Sequence, residues 1–387
     1  MLKLTLMNYQ ASGQNKFRVD PTAAFIAWRP DIAKIKQNFA PYENYKNIIV
    51  IGNGGSISTL FAFWRALHPA AAHRQLIIIP TMEPDYITRV KSQYPPTESV
   101  VLAISKSGDT VGVLEDICAF QGYPMVAVTT PGKGTLSQLA TLMKWPIIEH
   151  PAIGGRFSGR TAVAYGPAYL VGLDIDGIEQ GAAAAAAEYQ KEGSPAWQLA
   201  EFIFASAASG RGEIYMPVYS FFLEGFNHLV TQLIHESTGK SGQGPTVLAL
   251  GAPESQHHSN QRFFGGPKNM VGLFVTVASA NENLKITVPS AAKELPLRTG
   301  KLGLLDGADL QHSLSSEAQG TMADAKKRGI PFVHLEIDKL TPAAVGQYLV
   351  FWQFVAYYLS VLEGVDPFDQ PEVERSKEIS FSLRAKN

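Results

Sequence analysis

The sequence predicts an α/β protein: two parallel-sheet units in tandem, a helical connection between them, and a C-terminal helix and arm. Three observations carry that prediction. From residue 46 onward, short β-branched runs alternate with longer helical stretches, the pattern of parallel strands joined by crossover helices. The first four runs, Asn47–Ile51, Gln75–Ile79, Ser99–Ile104 and 124–128, are apolar at nearly every position, as strands covered by helices on both faces require. The chain has 387 residues, beyond the roughly 250–300 at which a single core stops growing.

Residues 1–45 form an N-terminal segment to which the sequence assigns no role, and 46–155 form the first unit. Three of its four strand runs end in Gly, Ser or Thr. Small polar residues therefore gather at the carboxyl edge of the sheet, where open α/β sheets bind ligands. Residues 156–210 turn helical, with an alanine run from Ala182 to Ala187 and an apolar stretch over 197–203. A second unit, 211–345, carries strand runs at 213–216, 246–250, 271–277 and 331–337. An apolar stretch from about 342 to 362 reads as a long helix, the polar residues 365–387 close the chain, and 346–387 is assigned as helix and arm. No sequence repeat demonstrates duplication of the two units.

Charge and cysteine usage narrow the function. With 33 basic and 34 acidic side chains, net charge −1, the chain lacks a global field for nucleic acid or an anionic membrane, so any anion must be held by a local site. Cys118 is the single cysteine and excludes an intramolecular disulfide. The first eight residues lack the apolar stretch and cleavage site of a secretion signal, so a cytoplasmic protein is expected. No run reads as the roughly 18–20 apolar residues of a spanning helix, so no membrane partner is expected.

Several segments could carry chemistry. The first strand runs into Gly52-Asn53-Gly54-Gly55-Ser56 and then a helix. Glycines there let backbone N–H groups approach an anion, although a plain structural turn fits the same residues, and neither G-x-G-x-x-G nor a P-loop is met. After the third strand, Ser105-Lys106-Ser107-Gly108-Asp109-Thr110 places three hydroxyls and a lysine on a turn that opens a helix. That is a cradle suited to a phosphomonoester, or else a solvated N-cap. Gly154-Gly155-Arg156-Phe157-Ser158 would hold a guanidinium on a tight turn, where it could stabilise an oxyanion or stand as an incidental surface arginine. In Gln232-Leu233-Ile234-His235-Glu236-Ser237-Thr238-Gly239-Lys240, helical spacing puts Gln232 and Glu236 one turn apart on one face, with Gly239 ending the helix. Glu236 is a candidate general base, and a solvated carboxylate in the last turn is the plain alternative. His257 and His258 are adjacent and therefore point apart, which suits an acid or base better than a shared metal ligand. The chain ends in Pro367-Phe368-Asp369-Gln370, continuing to Ser376-Lys377.

Taken together and in this order, these segments resemble the glucose-6-phosphate isomerase (phosphoglucose isomerase) family, built from two sugar-isomerase (SIS) domains of flavodoxin-like αβα architecture. The likeness spans about residues 45–380. It is most specific at the Gly154 to Ser158 turn, at Glu236 to Lys240, at Gln256-His257 with Gln261 and Gly266, and at Pro367 to Gln370. The resemblance implies a phosphate loop of Ser105, Lys106, Ser107 and Thr110, with Gly55 and Ser56 along the sugar, Gln232 one turn before the base and Gln370 on the phosphate side. It assigns Arg156 to the enediolate, Glu236 to the proton shuttle, His257 to ring opening and Lys377 to the ring oxygen. It further implies a homodimer with the active site at the subunit interface, the histidine loop coming from the neighbouring subunit, in a glycolytic and gluconeogenic enzyme.

The implied reaction opens the sugar ring and moves a proton from C2 to C1 through a cis-enediol(ate), with no redox change, so neither cofactor nor metal is implied. Gly112 stands where many members carry glutamate, Asn53 where isoleucine is usual, and Ser376 where glycine precedes the last lysine. These departures leave open an isomerase that also accepts mannose 6-phosphate. A non-catalytic phosphosugar-binding SIS protein is the reading from another class; it predicts a fused DNA-binding segment or missing catalytic residues, and the sequence has neither.

Overall fold

The computed structural model describes residues 2–9, 15–67 and 73–384. The strands are β1 (Leu2–Met7), β2 (Asn47–Ile51), β3 (Gln75–Ile79), β4 (Ser99–Ile104), β5 (Met125–Thr129), β6 (Ile147–Glu149), β7 (Glu213–Tyr219), β8 (Thr246–Gly251), β9 (Met270–Ser279), β10 (Pro296–Leu297), β11 (Gly300–Lys301) and β12 (Phe332–Lys339). The helices of the first half are α1 (Ala24–Ala27), α2 (Ile32–Phe39), α3 (Ser58–Leu67), α4 (Pro84–Gln93), α5 (Val111–Ala119), α6 (Gly134–Met143) and α7 (Ala162–Leu170). They are followed by α8 (Ile175–Tyr189), α9 (Pro195–Ala208), α10 (Asn227–Thr238), α11 (Ser259–Gly265), α12 (Leu310–Lys327), α13 (Pro342–Glu363) and α14 (Glu374–Arg384).

Two five-stranded sheets organise these elements. The first, in the order β3-β2-β4-β5-β6, is parallel throughout. Its central strands explain their composition: Ile48, Ile49, Val50 and Ile51 of β2 are all fully buried, as are Val100 to Ile104 of β4, because helices cover both faces. The second sheet runs β1-β12-β9-β7-β8, with β12, β9, β7 and β8 parallel and β1 antiparallel at the edge. β10 and β11 form a separate small hairpin.

In these two sheets eight strands lie on the runs read from the sequence; β1 and β6 do not. β6 has three residues, too few for a pattern. β1 alternates Leu2, Leu4 and Leu6 with Lys3 and Thr5, the period of a half-covered edge strand, and pairs Leu2 with Ile337 and Leu4 with Leu335. Beyond β1, the N-terminal segment crosses to the other half of the molecule, where α2 packs on α7. Phe25 of α1 meets Phe157 at 4.7 Å and Phe354 at 5.4 Å between ring centroids, and Trp28 Nε1 donates to the Arg160 carbonyl at 2.9 Å.

One expectation is corrected. α13 is long and apolar enough, by length and composition, to cross a membrane. It is instead the central helix of the protein, buried over most of its length from Val345 to Ser360 and packed among α8, α9 and α10. Its approach to α8 is backbone to backbone: a Cβ on Gly181 would lie 1.9 Å from the Ala343 carbonyl oxygen, and one on Gly346 the same distance from that of Ile178. This accounts for the small buried residues Ala182, Ala185 and Ala186 on α8. The C-terminal arm is helical, as expected, and its helix α14 forms without burying a residue.

Candidate active site

Arg156 is the most constrained side chain at the site. The turn after β6, Gly155–Arg160, carries it into the protein, where it is 2% exposed. A guanidinium has five N–H groups, and here all five are engaged. Nε donates to Ser237 Oγ at 2.8 Å; Nη1 donates to Glu236 Oε2 at 3.1 Å and Gln370 Oε1 at 2.8 Å; Nη2 donates to the carbonyls of Pro367 at 2.5 Å and Asp369 at 2.9 Å. Burial pulls the guanidinium pKa below its ordinary value, while Glu236, Asp369 and Asp366 oppose that shift. Lys240, 8% exposed, holds the same loop from beneath, donating to the Ser237 carbonyl at 3.0 Å and to the Asp366 carbonyl, and pairing with Asp369 Oδ1 at 2.8 Å.

Glu236 is reached from the other side by α10. As the helical spacing predicts, Gln232 lies one turn earlier, and its Nε2 donates to Glu236 Oε1 at 2.8 Å. Each carboxylate oxygen of Glu236 therefore has its own protein donor, while the side chain stays 32% exposed. Ser58 Oγ donates to Gln232 Oε1 at 2.9 Å. α10 ends at Thr238, with Gly239 as its cap, and the neighbouring His235 is exposed, its Nε2 accepting from the Val247 N–H at 3.0 Å.

The glycine turn and the hydroxyl-rich loop leave adjacent strands, β2 and β4, at the same edge. Gly55 lies against the Arg156 turn, and Ser56 closes the short 3-10 turn Gly54–Ser56. In the second loop Ser105 Oγ accepts from Gly108 N at 3.2 Å and lies 3.2 Å from Thr110 Oγ1. Ser107 Oγ accepts from Asp109 N. The one acidic residue in the loop, Asp109, turns its carboxylate to the N–H and hydroxyl of Thr135 at the start of α6. The backbone N–H groups of Lys106, Ser107 and Thr110 have no acceptor among the described residues. Burial lowers the pKa of the Lys106 ammonium. The segment therefore offers amides, hydroxyls and a partly desolvated cation together, which is the chemistry of a phosphate cradle.

His257 and Lys377 stand apart from this cluster. His257 is exposed at the end of the short turn Glu254–His257 that follows β8, and Lys377 is an exposed residue of α14 paired with Glu374 at 2.7 Å. Among the described residues neither bonds to Arg156, Glu236 or Gln232. α14 nevertheless returns to the first sheet, where Arg384 binds Glu115 of α5 at 2.7 and 3.0 Å. At the departures, Met82 fills the space beside Gly112, whose added Cβ would lie 2.9 Å from Met82 Sδ, and Ser376 Oγ donates to the Val373 carbonyl. Sequence reasoning missed Ser58, Ser237 and Lys240 as members of the cluster. Ser237 and Lys240 lay inside a quoted motif, whereas Ser58 had no signal beyond its place after the glycine turn.

No family model matches the chain. The chain is 30% identical over 367 residues to the probable glucose-6-phosphate isomerase of Haloquadratum walsbyi, covering 91% of this chain and 83% of that one. The chain belongs to the glucose-6-phosphate isomerase family. It is also 29% identical over 411 residues to the glucose-6-phosphate isomerase of Symbiobacterium thermophilum, covering 95% and 89% of the two chains. Among solved structures, the hypothetical protein TT0462 from Thermus thermophilus superposes with a TM-score of 0.83 at 25% identity over 92% of this chain and 87% of that one. A glucose-6-phosphate isomerase from Chlamydia trachomatis shares the fold at a TM-score of 0.78 and 18% identity, over 92% and 72% of the chains. Tagatose-6-phosphate ketose/aldose isomerase from Escherichia coli shares the fold at a TM-score of 0.52 and 13% identity, over 87% and 88% of the chains.

Proposed function

We propose that this chain interconverts glucose 6-phosphate and fructose 6-phosphate. The observation that carries the reading is the placement of Glu236: a partly exposed carboxylate with Arg156 on one oxygen and Gln232 on the other, at the edge that also holds the Ser105 to Thr110 cradle. The cradle takes the phosphate through the amides of Lys106, Ser107 and Thr110 and the loop hydroxyls. Gly55 and Ser56 lie along the sugar. Glu236 removes the C2 proton, the electron pair moves to the C1 oxygen as the enediolate, the C2 hydroxyl proton passes to the C1 oxygen, and Glu236 returns the carbon proton to C1 as the C2 carbonyl forms. Arg156 stabilises the enediolate by its fixed charge, and directly once Gln370 yields Nη1 to a substrate oxygen. The Gln370 amide oxygen holds the place on Nη1 that such an oxygen would take.

His257 opens the ring and Lys377 assists at the ring oxygen, in a homodimer whose partner subunit supplies the histidine loop. The exposure of His257, which bonds to none of Arg156, Glu236 and Gln232 among the described residues, supports that arrangement. The test is a coupled assay of fructose 6-phosphate conversion by the wild type and by Glu236→Gln. Loss of a general base costs roughly 10²–10⁴-fold, so the wild type turns over and the variant falls by that order. Normal turnover by the variant would remove Glu236 from the mechanism, and an inactive wild type would remove the reaction.

A further inference from the structure

Ser58 is the first residue of α3 and is 9% exposed. Its hydroxyl donates to Gln232 Oε1 at 2.9 Å, while the other end of the same carboxamide donates from Nε2 to Glu236 Oε1 at 2.8 Å. The amide is packed against the glycine turn, where a Cβ on Gly54 would lie 2.8 Å from Nε2. A carboxamide has two ends of nearly equal shape, and its hydrogen-bond partners decide which one a neighbour meets. An ionised carboxylate accepts only, so it selects the N–H end. That selection lapses when Glu236 has taken a proton from the substrate, because a carboxylic acid donates and draws the amide oxygen toward itself. Ser58 opposes the turn. Gln232 Oε1 is the acceptor of its hydroxyl among the described residues, and turning the amide would strand that proton at a buried position, at a cost of about 1–3 kcal/mol.

We propose that Ser58 is a positioning residue for the proton transfer, acting through Gln232. It keeps the amide N–H on Glu236 in both protonation states of the carboxyl, so the geometry that takes the proton from C2 also returns it to C1. This rests on the isomerase reading given above. Residue 58 follows the glycine turn of the first unit and Gln232 sits on α10 of the second, so the contact couples the two halves at the base itself.

The experiment compares the wild type with Ser58→Thr and Ser58→Val, which match in shape and differ by hydroxyl against methyl. A packing fault lowers both unfolding temperatures alike. Ser58→Thr is expected to stay within about threefold of the wild-type kcat, and Ser58→Val to lose about tenfold in kcat with KM within about twofold, the cost of one hydrogen bond. Starting from glucose 6-phosphate deuterated at C2, Ser58→Val should also carry less label to C1 and lose more to water. Equal kcat and equal label transfer in the two variants of an active enzyme would overturn the role of Ser58. A wild type that converts no fructose 6-phosphate would instead overturn the isomerase reading.

Discussion

Gly55 and Gly155 meet backbone to backbone: a Cβ added to Gly55 would lie 2.1 Å from the carbonyl carbon of Gly155 and 2.4 Å from the amide nitrogen of Arg156. The two glycines let the turn after β2 rest directly on the turn that aims the guanidinium. Backbone cannot yield as a flexible side chain does, so Gly55→Ala must separate the turns. Overpacking of this kind costs about 1–3 kcal/mol, and the separation also moves Arg156 relative to Glu236. The expected outcome is a lower unfolding temperature together with a loss of kcat of at least about tenfold, since small misplacements cost rate steeply. Thermal melts and steady-state rates check it, and a variant with wild-type values in both would show that the turns can part freely.

Arg156→Ala separates charge stabilisation from loop anchoring. The substitution strands the carbonyls of Pro367 and Asp369 and leaves Glu236 without its cation. We expect kcat to fall by about 10²–10³-fold with a smaller change in KM, because in the proposed mechanism the charge that Arg156 meets develops in the transition state. Proteolysis within 366–370 should quicken. A change confined to KM would place Arg156 on the phosphate instead.

His150 sets part of the acid stability. It follows β6, is 1% exposed, shares Nδ1 with the Pro151 carbonyl at 2.8 Å, and has no partner for Nε2 among the described residues. Burial, with Lys106 nearby, pulls its pKa down to about 4. Between about pH 4 and the unfolded value near 6.5 the unfolded chain holds more protons at this site than the folded one, so stability is lost as pH falls through that window. His150→Leu should therefore lose less stability than the wild type between pH 7.5 and 4.5, by on the order of 2–3 kcal/mol. Asp116 and Glu363, pushed up by burial to about 6 and about 7, favour the folded state as pH falls, and the difference between variant and wild type cancels them. Urea titrations at the two pH values measure it, and parallel losses would remove His150 from the acid limb.

The parts of the fold that were readable from sequence are those whose signal is local. β2 and β4 read as strands because nearly every position is apolar, a direct result of being covered on both faces. Arg156, Glu236 and Gln232 could be named because a turn and a helical spacing fix where each side chain starts. Their partners could not be read in the same way. Ser58 reaches Gln232 across 174 positions of sequence, and Lys240 reaches Asp366 across 126. Such pairings arise from how α3, α10 and the loop after α13 pack, which no local pattern records. The alternation in β1 was present, but a six-residue signal with no strand run beside it had nothing to support it.

The pairing of β1 with β12 also sets an order of events during synthesis. Leu2 leaves the ribosome well ahead of its partner Ile337, which follows 335 residues later (337 − 2). At about 5–20 residues per second that is a wait of roughly 20–70 s. Within that interval, once residue 149 has emerged, the first sheet has all its strands, while Leu2, Leu4 and Leu6 still have no ladder to join. The second sheet thus acquires its edge only after β12 has emerged, and the nascent protein carries an unmatched apolar strand until then.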